Sequence, residues 1–204
     1  RKPQYQFSWD WNPRLINVGI TGPVRLEWAD TLRLDQVVVL ANPSPDFSKA
    51  EVTVRTFIEG LNEGADATLT VQLRETGGKA ATNIKLTKGL APYETRLVVD
   101  NPRLWWPAGH GAQALYTADI DVKVKGQSVC SASRRFGIRK IEITRPPHPQ
   151  EGEYFIITVN NRPIFCKGGN WVPPDMIYSS VTRDRLRKLV DMARGANFNL
   201  LRIW

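Results

Sequence analysis

Cysteine, histidine and methionine are scarce, with only two of each among 204 residues. Cys130 and Cys166 could at most form one bridge. Each stands in an apolar run that reads as a strand, where a thiol behaves as a small hydrophobe, so the pair is expected to stay unbonded. His110 and His148 fall in loops without a second ligand at metal spacing, which argues against a zinc site; no metal ligand and no cofactor is assigned. Also missing is any apolar run near the roughly 20 residues that cross a bilayer, so no membrane partner is expected.

Negative charge is in the minority. Against 28 Lys and Arg stand 20 Asp and Glu, a net +8 that raises the question of a nucleic-acid partner. The densest basic groups are Arg134-Arg135 with Arg139-Lys140, and Arg183, Arg185, Arg187 and Lys188 on one helical stretch. Neither is interleaved with aromatics, as a base-stacking platform requires, so solvated basic faces are the better account and no nucleic acid is expected.

What the chain does have is tryptophan, seven residues, most of them in loops rich in Gly, Pro and Asn. Apolar content of 42% and charge of 24% suit an ordinary packed core. Period-two runs occur over 31–40, 50–59, 67–75, 83–87, 95–99, 115–124 and 128–136, for example Val52, Val54 and Thr56 against Thr53 and Arg55. Turn chemistry separates them at Asn42-Pro43-Ser44-Pro45, Asn62-Glu63-Gly64, Gly77-Gly78 and Ala91-Pro92. Seven short strands so punctuated predict an immunoglobulin-like β-sandwich over 31–145, without the Cys-Trp-Cys spacing of antibody domains. The proline-rich 146–152 reads as a stiff linker or loop bounding it.

Beyond that boundary the pattern changes. Residues 154–159 and 163–167 flank Asn160-Asn161-Arg162 as a hairpin, whose second strand runs into a loop over 168–175. Thr182 is a good N-cap; Leu186, Leu189, Val190 and Ala193 share one helical face; Gly195 is placed to close the helix in the left-handed conformation. The strand 198–204 follows. Strand, loop, helix, strand is the first βα unit of a (β/α)8 barrel, which needs around 250 residues in all, so the barrel is expected to be incomplete here. The chain as a whole reads as a piece of a larger protein.

Three segments carry candidate chemistry. In the 168–175 loop, Asn170 and Trp171 offer an amide and an aromatic plane, a pairing that suits a sugar, whose C–H faces lie on aromatics while its hydroxyls need polar partners. Trp171 as a plug at the barrel mouth is the other reading, of equal weight. In residues 7–14, Asp10 sits between Trp9 and Trp11 ahead of a turn, and 22–27 reads as a strand closing an earlier domain. In residues 101–111, Trp105-Trp106-Pro107 is read first as a packing wedge between strands and second as a ligand platform.

Together, FSWDWNPRL with ITGPVRLE, NPRLWWPAGHGAQALY, RRFGIRKIEI, VNNRPIFCKGGNWVPPD and ANFNLLRIW resemble glycoside hydrolase family 2, within it the β-mannosidase branch, in order and spacing across essentially the whole chain. The resemblance implies residues 1–30 as the tail of a sugar-binding β domain, 31–145 as the sandwich, and 146–204 as the start of the catalytic barrel. It also implies a retaining, exo-acting enzyme with two catalytic glutamates on later barrel strands, so no catalytic residue is named here; Glu142, Glu151 and Glu153 match no catalytic motif. Substrate-binding positions carried over are Asp10, Trp11, Asn170, Trp171, Arg202 and Trp204, with a β-mannoside as the carbohydrate partner. Two departures stand out, Asn12 and Gly169, where the family usually has Gly and Ala; Asn tolerates positive φ, which would preserve the turn. A non-catalytic carbohydrate-binding sandwich is the alternative from another class, and a β-galactosidase or β-glucuronidase the alternative within the family. The open barrel edges at 154–167 and 198–204 are expected to favour self-association.

Overall fold

Alternation along the strands determines the core. The computed structural model describes residues 3–204 and divides into two compact units, Trp28–Phe165 and a second built from residues up to Glu27 together with Cys166–Trp204.

In the larger unit the strands are β1 (Leu32–Pro43), β2 (Lys49–Gly60), β3 (Asp66–Leu73), β4 (Lys79–Lys85), β5 (Gly89–Asp100), β6 (Tyr116–Val124) and β7 (Gln127–Phe136). They form two antiparallel sheets ordered β1-β2-β5 and β4-β3-β6-β7, the immunoglobulin-like sandwich expected from the sequence. Every second residue of β2 from Ala50 to Gly60 is buried, and Leu69, Val71, Leu73, Ala118, Ile120 and Val122 meet them from the other sheet in one continuous core. Burial of these branched side chains is the main force holding the sheets together. The predicted turn at Ala91-Pro92 lies instead inside β5. Because β5 pairs only with β2, Pro92 sits on an edge strand and needs no ladder donor on its open side; the chain turns earlier, through Gly89 at φ +92°.

Three short strands follow, β8 (Ile141–Thr144), β9 (Ile156–Val159) and β10 (Arg162–Ile164), as an antiparallel sheet ordered β10-β9-β8. The predicted hairpin is present, with Asn160 and Asn161 at φ +51° and +62° in the paired left-handed conformations of a tight two-residue turn. Strand β8 was not foreseen. Its pairing with β9 makes 146–152 a hairpin loop, closed by hydrogen bonds from His148 N to Gly152 O and from Tyr154 N to Pro146 O, both 2.9 Å, and not a linker. The buried Asn160 binds this sheet to the sandwich: Nδ2 donates to Trp105 O at 3.0 Å, while Oδ1 accepts from Lys140 N at 2.9 Å. Trp105 itself packs beside Gly137 under the Arg139 guanidinium, 4.4 Å from its ring centroid, so the Trp-Trp-Pro corner serves as a wedge.

The smaller unit holds β11 (Gly168–Trp171), α1 (Arg183–Gly195) and β12 (Leu200–Ile203), with β11 and β12 paired in parallel, a strand–helix–strand unit of the kind that builds (β/α) barrels. The barrel-type strand is therefore the Gly-Gly-Asn-Trp segment, which the sequence had suggested was loop, and not 163–167. Glycine permits it, since a Cβ at Gly168 would run into the Leu200 carbonyl of the partner strand. Thr182 caps α1, its hydroxyl accepting from Arg185 N at 3.2 Å. Gly195 is the last helical residue and is not left-handed; Asn197, at φ +58°, takes that role. Residues 22–27, expected to form a strand, join no ladder among the described residues.

Candidate functional site

In the smaller unit the N-terminal segment and the ends of β11 and β12 come together. Residues Gln4–Phe7 form one 3₁₀ turn, which Ser8 leaves at φ +113°. Trp9 and Asn12 then exchange backbone hydrogen bonds of 3.4 and 3.2 Å, making Asp10 and Trp11 the tip of a tight turn. Asn12 is not at positive φ, contrary to the role expected for it. It is buried, and its amide Nδ2 donates to Tyr5 O at 2.7 Å and Pro13 O at 3.1 Å, tying both ends of the turn together.

Aromatic packing joins this turn to β12. Around Trp204 stand Tyr5, Trp11 and Trp9 with ring centroids 5.2, 5.4 and 5.9 Å away, and Tyr5 and Trp11 are 5.3 Å apart. The Tyr5–Trp204 and Trp11–Trp204 contacts are edge-to-face, the arrangement the ring quadrupole favours. Trp204 and Trp9 stay 41% and 49% exposed, leaving indole surface for a ligand. Asp10 is exposed at the tip of the turn. Burial pushes the Tyr5 phenol up from its ordinary value.

On the strands, Asn170 and Arg202 are register partners, and Arg202 Nη1 donates to Asn170 Oδ1 at 3.0 Å. Trp204 N donates to Trp171 O at 3.0 Å, extending the ladder by one residue. After Trp171 the chain is fastened by a clamp on α1: Asp175 accepts from Ile177 N at 2.9 Å and Arg185 Nη1 at 2.7 Å, while Arg185 Nη2 donates to Pro174 O at 2.8 Å. The Ile177 amide and the guanidinium hold the Asp175 carboxyl below its ordinary range. Asn17 Nδ2 donates to Met176 O at 3.1 Å, and a cavity of about 790 Å³ opens beside that bond, lined among others by Gln6, Val18, Ile177 and Tyr178.

Of the six positions singled out in the sequence, Trp11 and Trp204 meet directly, Asn170 and Arg202 are hydrogen-bonded, and Trp171 joins Trp204 through the backbone. Tyr5 and the Asp175–Arg185 clamp were not foreseen as part of the arrangement; Trp9 and Asn12 were noted around Asp10 but not among the sugar-binding positions. Trp9 carried a signal, as the second indole beside Asp10; the clamp joins a loop to a helix ten residues on, and no pattern in the sequence marked it.

The sequence profile of the glycosyl hydrolases family 2 matches residues 32–139, more than half of the chain, and the chain belongs to that family. Over its whole length it is 32% identical to β-mannosidase B of Emericella nidulans. It spans about a quarter of the length of the curated relatives it matches, 24% in that case. The crystal structure of a β-D-mannosidase from Dictyoglomus thermophilum superposes on the entire chain with a TM-score of 0.91 at 32% identity, the chain covering 25% of it. An exo-chitosanase from Amycolatopsis orientalis, at 20% identity and a TM-score of 0.70 over 85% of this chain and 20% of its own, shares the fold.

Proposed function

We propose that these residues belong to a retaining, exo-acting β-mannosidase, and that they supply its sandwich scaffold and one side of its sugar pocket. The observation that carries this is the Trp204-centred aromatic cluster with Asp10 beside it, in a chain 32% identical throughout to β-mannosidases. Indole faces stack on the C–H side of a pyranose, and a carboxylate accepts from its hydroxyls. In this reading Asp10, Trp11, Asn170, Trp171, Arg202 and Trp204 face the sugar. The division into a sugar-binding tail at 1–30, a sandwich at 31–145 and a barrel start at 146–204 belongs to the same proposal.

Retaining hydrolysis takes two carboxyl groups about 5 Å apart, one protonating the leaving oxygen and one forming the glycosyl-enzyme bond. None of the glutamates here is assigned either role, and both are proposed to lie outside these 204 residues. The chain by itself is then without turnover. The test compares hydrolysis of an aryl β-mannoside by the full-length protein, its Asp10→Ala variant and the purified 204-residue chain. Expected are activity, a loss of at least tenfold in kcat/KM and no turnover, respectively; undiminished activity of the variant removes Asp10 from the pocket, and turnover by the chain alone overturns the proposal.

A further inference from the structure

Arg202 Nη1 donates to Asn170 Oδ1 across the parallel β11–β12 pair at 3.0 Å. A guanidinium offers donors only and keeps its charge at any physiological pH, so what it draws toward itself is the carbonyl oxygen of the amide. The amide is planar, which leaves the two N–H groups of Asn170 Nδ2 directed elsewhere. No second hydrogen bond engages the Asn170 side chain among the described residues, and it is exposed. Arg202 and Trp204, two apart on one strand, project to the same side of the sheet, which puts this donor on the side of the ring cluster.

We propose that Arg202 is a positioning residue that fixes the amide of Asn170, and that Asn170 Nδ2 is a specificity-determining donor which selects a hydroxyl oxygen of a neutral sugar and refuses a protonated amino sugar at that position. The proposal rests on the glycosidase reading above and gives one of its pocket residues a direction. A hydroxyl accepts from Nδ2, whereas an ammonium has no lone pair to accept with and meets the Arg202 charge as well. An asparagine left to rotate would present either edge and discriminate between neither.

The deciding variant in the full-length protein is Asn170→Asp, which keeps the shape and the bond to Arg202 but replaces the outward donor by an acceptor. Expected is a loss of at least tenfold in kcat/KM on a neutral aryl β-mannoside, a reduced preference over the corresponding amino sugars, and a Tm equal to or above wild type. Arg202→Met should lose several-fold on the neutral substrate, and Arg202→Lys, again a donor without an acceptor, should recover part of that loss. Activity of Asn170→Asp within twofold of wild type, with its preference unchanged, overturns the proposal. Should the wild type turn over no aryl β-mannoside, the substrate reading fails by itself. The orientation is then read from stability, because the new carboxylate paired with Arg202 gives Asn170→Asp an acid-sensitive Tm that the Asn170→Asp/Arg202→Met double variant lacks. Identical pH profiles of those two proteins overturn it.

Discussion

Thr56 is fully buried on β2 between Val54 and Ile58, in line with the core, and its hydroxyl has no hydrogen-bond partner among the described residues. A buried unpaired hydroxyl forfeits its hydration without return, whereas valine fills the same volume. Thr56→Val is therefore expected to raise unfolding stability by about 1 kcal/mol in a denaturant titration; a decrease would reveal an acceptor not evident from the packing. In the turn between β1 and β2 the logic is reversed. Asp46 accepts from the Ser44 hydroxyl and from the amide and hydroxyl of Ser48, which together hold its carboxyl at about 2, and Phe47 beside it takes φ +60°. A carboxyl whose folded pKa lies below the unfolded value near 3.9 stabilises above that value, and its contribution fades as pH falls toward 2. Wild type should exceed Asp46→Asn in Tm at neutral pH, and the gap should close between about pH 4 and pH 2; a gap independent of pH would remove the carboxylate from the explanation.

Long strands with two-sided contrast were legible in the sequence, whereas β8 alternates over only four residues and was missed, and β11 has no contrast to read. In β2 and β3 apolar and polar residues alternate, and period two is visible in Val52, Val54 and Val71. In β11 two glycines leave nothing to alternate, and its partner β12 lies beyond a helix, so pairing could not be inferred locally. Likewise Gly195 looked like the natural helix terminus, yet Asn197 holds the left-handed position, because either residue tolerates it and tertiary contacts decide. Of the candidate site, the loop residues were legible through their tryptophans, while Tyr5 and the Asn170–Arg202 bond emerge only when distant segments meet. The glycine pair makes the point testable. A Cβ at Gly169 would meet only the Phe198 ring at 3.9 Å, an ordinary contact, whereas at Gly168 it would strike the β12 backbone. Gly169→Ala should be near neutral and Gly168→Ala should cost roughly 1–3 kcal/mol by chemical denaturation; equal effects would mean that β11 does not pair as described.

For the whole molecule the telling quantity is apolar surface left in water. Val18, Ile20, Val24, Leu26 and Trp28 stand at alternate positions of a segment outside any ladder and are each more than 80% exposed. Ile141, Ile143, Phe155, Phe165 and Ile203 add further exposed apolar side chains. Surfaces of this kind mark interaction sites in soluble proteins. The purified 204-residue chain is expected to self-associate with rising concentration in sedimentation velocity, and replacing Val24 and Leu26 by aspartate should shift it toward monomer; a monomer at every concentration would count against this exposed apolar surface as an adhesive one. The division into units has a temporal consequence. Since the smaller unit draws on residues up to Glu27 and on Cys166–Trp204, ribosomal synthesis delivers its two halves separated by the whole of the larger unit. The larger unit, contiguous from Trp28 to Phe165, is able to fold while the nascent Tyr5–Trp11 segment still awaits Trp204, so the ring cluster closes only after the larger unit has left the ribosome.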